Sequence, residues 1–209
     1  MLPASVVEWR DGGRWIPTRL GKVFARSSPP DGDGPTILML HGYPSSSYDF
    51  RNVVPHLAGR VWVTMDFLGF GLSDKPRPHT YSLLEQADLV QTVVAETTTG
   101  PVVVLAHDMG TSVTTELLAR DIHGRLPFEL QRAVLTNGSV ILKRASLRPS
   151  QKLLRSRLGP VFARLINRKG FTRGFGRLFT PDHPLSAEEA AAQWALLSHN
   201  GGHRIAHLL

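Results

Sequence analysis

The residues best placed to do chemistry lie between Val102 and Val113, V-V-V-L-A-H-D-M-G-T-S-V, where an apolar run leads to Asp108. Two small residues, Ala106 and Gly110, stand two before and two after it. That spacing is what a strained strand-to-helix turn requires, because the turn presses backbones together and leaves no room for larger side chains. An acid at the apex of such an elbow is an oxygen nucleophile that needs no base, since an ordinary aspartate is ionised at neutral pH. It suits attack on an electrophilic sp3 carbon, an epoxide or a carbon–halogen centre, giving an ester on the protein that water must then cleave. The expected donors to the oxyanion of that second step are the backbone N–H of Met109, directly after the apex, and of Tyr43, directly after His41-Gly42. Asp108, Tyr43 and Met109 are therefore the expected catalytic positions. The competing reading of Asp108 is a plain helix N-cap that steadies the first turn from Met109 onward.

Such an elbow needs a sheet to carry it. Four short apolar runs bounded by turn residues, Thr36 to Leu40, Val61 to Met65, Val102 to Leu105 and Ala133 to Thr136, read as strands covered on both faces. Helical spacing fills the intervals from Tyr81 to Glu96 and from Thr111 to Asp121. This alternation predicts a mostly parallel, doubly wound α/β sheet whose reactive groups sit at the carboxyl ends of the strands. His41-Gly42, Asp66, Asp108 and Asn137-Gly138 each follow one of the four runs. Trp15 to Arg26 reads as antiparallel edge strands, and residues 27–35 as a loop. Ala187 to Ser198 reads as a late helix with Ser186 as N-cap and Glu189 completing a capping box. His41 is expected to brace the oxyanion turn, Asp66 and Ser73 to shape a strand-end loop, and His107 to point away from the cleft.

Composition narrows the remaining functions. With Cys 0, disulfides, thiolate nucleophiles and cysteine metal sites are excluded. No pair of His or carboxylates stands at ligand spacing with a third partner, and no phosphate loop is present, so neither a metal nor a cofactor is expected. The opening residues lack a secretory pattern and no apolar stretch is long enough to span a bilayer, which makes cytoplasmic the expected location. The net charge of +7 is concentrated late: Lys143, Arg144, Arg148, Lys152, Arg155, Arg157, Arg164, Arg168, Lys169, Arg173 and Arg177 occur with no acid among them. A solvated outer face of a helical lid accounts for that run, and nucleic acid is not expected as a partner.

The motifs H-G-Y-P-S-S-S-Y-D-F from His41 to Phe50, D-F-L-G-F-G-L-S-D-K-P from Asp66 to Pro76 and H-D-M-G from His107 to Gly110 resemble the α/β-hydrolases with an aspartate elbow, which include epoxide hydrolases and haloalkane dehalogenases. Within that family, Leu135-Thr136-Asn137-Gly138 and the stretch Asp74 to Gln86 are most similar to the mesoderm-specific transcript proteins. The resemblance implies an α/β-hydrolase core over residues 1–140 and a helical cap over 141–209. It implies hydrolysis of a small-molecule epoxide, halide or ester-like substrate through an aspartyl ester at Asp108. It also implies a second acid and a water-activating histidine on strands after the cap. Those are expected to lie outside this chain, which reads as a fragment with an incomplete cap, prone to self-association. His199, His203 and His207 are the tempting substitutes, but their setting reads as a cap turn. Where dehalogenases carry a Trp and an Asn for the halide, this chain has Met109 and Tyr43, and its three tyrosines all precede the cap. The alternative function is a non-catalytic binding protein that uses the basic cap.

Overall fold

A computed structural model of the chain describes residues 2–138 and 148–209. The boundary expected between residues 140 and 141 lies outside the described residues, as do Lys143 and Arg144 of the basic run. Among the described residues six strands form one sheet: β1 (Arg14–Thr18), β2 (Gly21–Ser27), β3 (Asp33–Leu40), β4 (Arg60–Met65), β5 (Val102–His107) and β6 (Leu130–Thr136), in the order β1-β2-β4-β3-β5-β6. β1 and β2 are antiparallel, and β4, β3, β5 and β6 run parallel to one another. The chain steps from β3 outward to β4 and then returns across the sheet to β5, so the strand order reverses between β3 and β5. In open α/β sheets that reversal opens a crevice beyond the strand ends. Leu40 pairs with Ala106, which brings the residues after β3 and after β5 side by side.

Strand parity sorts the core into two layers. Leu38, Leu40, Val63, Met65, Val104 and Ala106 face α2 (Leu83–Thr97) and α3 (Met109–Ile122), meeting Val90, Val94, Val113 and Leu117. The alternate residues Ile37, Met39, Trp62 and Leu105 meet Phe50, Val53 and Leu57 from two short 3-10 segments, Ser47–Asn52 and Val54–Leu57. The expectation that all four parallel strands are covered on both faces fails at the far edge. β6 has no fully buried residue, and in β5 only Val102, Val104 and Ala106 are buried, because the second 3-10 layer reaches no further than β3, β4 and Leu105.

Both antiparallel strands appear where expected, but only β1 is at the sheet edge, since β2 pairs with β1 on one side and β4 on the other; β3 begins at Asp33, inside the anticipated loop. The α1 helix (Ala4–Asp11) had no legible signal, since it lacks a side-chain cap and buries only Val6 and Trp9. Four helices follow the described gap: α4 (Pro149–Leu154), α5 (Gly159–Leu165), α6 (Arg168–Gly176) and α7 (Ala187–Ser198). α7 is fully as expected in its bounds. Its capping box is only half made: Ser186 Oγ accepts from the Glu189 N–H at 3.0 Å, but the Glu189 carboxylate turns to Arg51 and Gln193 instead. Among the described residues no strand follows β6, and no helix is long and apolar enough to cross a membrane.

Candidate active site

Asp108 stands between the last residue of β5 and the first of α3 with φ 50° and ψ −115°. This is a sparsely populated conformation for a residue with a Cβ, held at a cost of about 1–3 kcal/mol by its surroundings. Those surroundings consist of glycine where contact is closest. A Cβ on Gly110 would lie 2.5 Å from the Leu40 carbonyl oxygen, and one on Gly42 would lie 2.5 Å from Asp108 Cβ. The small residue after the apex is thus required by β3, the neighbouring strand, and not only by the turn.

Two backbone donors converge on one carboxylate oxygen. Oδ1 of Asp108 accepts from the Met109 N–H at 2.6 Å and from the Tyr43 N–H at 2.9 Å. An ordinary N-cap has extended backbone and takes N–H groups two or three residues on. Asp108 has positive φ, takes the immediately following N–H and reaches a donor from another strand end. It does cap α3, so the bland reading is part of the geometry without accounting for the rest. No described residue donates to Oδ2, and Asp108 opens on a cavity of about 970 Å3.

Tyr43 and Pro44 line that cavity with Asp108, and α4 to α6 supply most of the remainder, including Leu154, Phe162, Ile166, Phe171 and Phe175. Leu197 from α7 and Ala206 close the set. The volume is near the top of the range for small-molecule sites, about 300–1,000 Å3, and the lining is mostly apolar as such sites are. Among the described residues, Asp108, Arg148 and Arg177 are the charged ones on its wall. The Tyr43 phenol donates to the Ala206 carbonyl at 3.4 Å, and burial pushes its pKa up to about 12. A tyrosine therefore does reach the cavity, from the strand-end turn rather than from the cap.

The turn that carries the Tyr43 N–H is braced from below. His41 is wholly buried; its Nδ1 lies 2.8 Å from the Gly42 carbonyl and its Nε2 accepts from the Phe67 N–H at 3.0 Å. Burial holds its pKa below the ordinary value against the opposing pull of Asp66, so it stays neutral with the proton on Nδ1. Asp66 accepts from the Ser47 N–H at 2.7 Å and the Leu72 N–H at 2.6 Å, and Ser73 Oγ donates to the Asp66 carbonyl at 2.6 Å. These residues shape the loops beside the site and do not line the cavity. His107 is exposed at the end of β5.

None of the chain's nine histidines is among the residues lining the cavity. His199 and His203 have lowered pKa values, from burial first and then from Lys75 and Arg204 respectively. Sequence reasoning missed two sets of residues. Gln193 Nε2 on α7 donates to Asp49 Oδ1 at 2.7 Å, and Ser45 Oγ also donates to Asp49, tying α7 to the strand-end turn. Lys75 donates to the carbonyls of Phe70, Gly71 and Ser73, and burial lowers its pKa to about 8. Neither set has a local motif, because the partners meet only across the fold.

The alpha/beta hydrolase fold family matches residues 35–183. The chain is 76% identical over 209 residues to the putative hydrolase LipZ of Mycobacterium tuberculosis, covering all of this chain and 72% of that protein. It is 33% identical over 214 residues to the mesoderm-specific transcript protein of Mus musculus, covering 98% of this chain and 63% of that protein. Among solved structures, the epoxide hydrolase CorEH superposes with a TM-score of 0.75 at 23% identity, over 93% of this chain and 71% of that one, a likeness of fold.

Proposed function

Because the chain belongs to the α/β hydrolase fold family, we propose that Asp108 is its nucleophile and that it attacks an sp3 electrophile, an epoxide or an alkyl halide, to form an aspartyl ester. The observation that carries this reading is the division of labour within one carboxylate. Oδ1 is held by the Tyr43 and Met109 N–H groups, which leaves Oδ2 to meet a ligand in the cavity. Fixing one oxygen orients the other, and orientation of a reacting pair supplies much of a rate enhancement.

The chemistry follows from that orientation. Oδ2 donates an electron pair to carbon, and the carbon–oxygen bond of the epoxide or the carbon–halogen bond breaks. The leaving alkoxide is protonated by water, and a halide leaves as the ion. The new ester keeps Oδ1 as its carbonyl oxygen, already between two N–H donors. Water attacking Cγ then places negative charge on Oδ1, where the same donors stabilise it; one such donor is typically worth about 10²–10³ in rate. Cleavage of the ester releases a diol or an alcohol and restores the carboxylate. That second step needs a base to activate water, and no histidine lines the cavity. The core over residues 1–140 and the cap over 141–209 divide the work in this proposal, the first holding Asp108 and the second supplying the apolar wall.

The test is incubation with a reactive epoxide and an alkyl halide followed by peptide mass spectrometry. The expected result is a mass gain on Asp108 that decays slowly, with negligible turnover, and that is abolished by Asp108→Asn. Labelling spread over other carboxylates and unchanged by Asp108→Asn would reduce Asp108 to a helix cap.

A further inference from the structure

We propose that the outer face of α5 and α6 docks on an anionic lipid surface and sets the mouth of the Asp108 cavity against it. Three observations meet there. Leu158, Val161 and Leu165, spaced three and four apart along α5, are 63%, 55% and 68% exposed. That spacing puts them on one side of the helix, the pattern of an amphipathic helix turned outward. Cations accompany the stripe: Arg157 precedes α5 and Arg164 lies in it, Arg168, Lys169 and Arg173 lie on α6, and Arg177 follows it, all of them exposed. Residues 148–180 contain no acid, so α5 and α6 themselves carry a single sign of charge.

The third observation concerns position. Leu165 and Leu178 are more than half exposed and also line the cavity, so the apolar stripe is continuous with the cavity wall. An apolar molecule leaving a bilayer could cross from one to the other without entering water.

Other occupants fit this face less well. Nucleic acid would engage the arginines but would leave the aliphatic stripe in water, since phosphate binding rests on cations and polar donors. A second copy would bring the same excess of positive charge against itself. An interface rich in both basic and aliphatic side chains is what an anionic membrane surface takes up, with the apolar side sinking to the headgroup boundary. Each Lys or Arg near such a surface strengthens binding about fivefold.

The experiment is vesicle co-sedimentation with phosphatidylcholine alone and with phosphatidylcholine mixed with phosphatidylglycerol, at low and moderate salt. The expected result is retention on the mixed vesicles only, lowered on the order of a hundredfold in Arg164→Gln/Arg168→Gln/Arg173→Gln. Leu158→Ser/Val161→Ser should also weaken retention, while leaving binding to a heparin column unchanged. Thermal melts matching the unsubstituted chain would confirm that these exposed changes leave the fold intact. Asp108→Asn should bind vesicles normally, which separates this proposal from the nucleophile. Three results would overturn it: equal retention on neutral vesicles, no effect of the Leu158/Val161 pair, or a self-association that the pair abolishes without any vesicle binding.

Discussion

The backbone N–H of Tyr43 donates to Oδ1 of Asp108 at 2.9 Å although the two residues are 65 positions apart. The contact exists because β3 and β5 are adjacent and in register up to Leu40 and Ala106, so the chain leaves both strands at the same level. It also fixes the size of Gly42, whose missing side chain is the space that Asp108 Cβ approaches.

Gly42→Ala should therefore separate Tyr43 from Asp108. We expect adduct formation on Asp108 to slow by at least about tenfold through loss of one oriented donor, with a stability loss of about 1–3 kcal/mol from overpacking. Gly100→Ala is the matched control, since a Cβ there meets nothing within 4 Å and its φ is ordinary. Labelling rates and urea midpoints for the two variants would check this. Equal labelling in both would mean that the Tyr43 N–H plays no part.

Acid should destabilise the fold through its buried histidines. Burial holds the pKa of His41 below the ordinary value, and partial burial lowers those of His199 and His203. The unfolded chain then binds protons first, so stability is full above about pH 6.5 and is lost as pH falls toward the folded-state values. Urea midpoints taken from about pH 8 down to about pH 5 should show that fall, with a shallower slope in His41→Gln. A midpoint that rises on acidification would contradict the argument.

The link between α7 and the strand-end turn should be measurable as a coupling. Gln193 is 3% exposed and gives its amide to Asp49 and to Glu189. Asp49→Ala removes one acceptor, and we expect a loss of about 1–3 kcal/mol for the polar group left behind. In a double-mutant cycle with Gln193→Leu, an interaction of about 1 kcal/mol should appear. Additive losses would show that the two side chains act independently.

The outer edge of the sheet should make the isolated chain associate. Among the described residues β6 pairs only with β5, and Val134 and Leu135 are 49% and 45% exposed. Unpaired strand edges with apolar side chains template pairing with other chains. Sedimentation velocity should show a concentration-dependent shift that Val134→Lys reduces. A single species at all concentrations would refute it.

The strand-helix alternation, the elbow and the strand-end turn were legible in the sequence because each depends on short-range rules. Apolar runs of four or five residues specify strands, and small residues at fixed offsets specify a strained turn. The positions of the Tyr43 and Met109 N–H groups at strand ends were legible too, since each directly follows a motif that ends a strand. Tertiary structure alone decided what those groups contact. Only the β3–β5 register shows that both reach the same oxygen of Asp108, and only packing shows that Gly42 and Gly110 are small for the sake of a neighbouring strand. The uncovered edge at β6 was not legible, because an apolar run records what a strand can bury and not whether a layer is present to bury it. The same holds for α5: the basic run read as the solvated outer face of a helical lid, while the exposure of Leu158, Val161 and Leu165 was settled by which neighbours the fold sets against them.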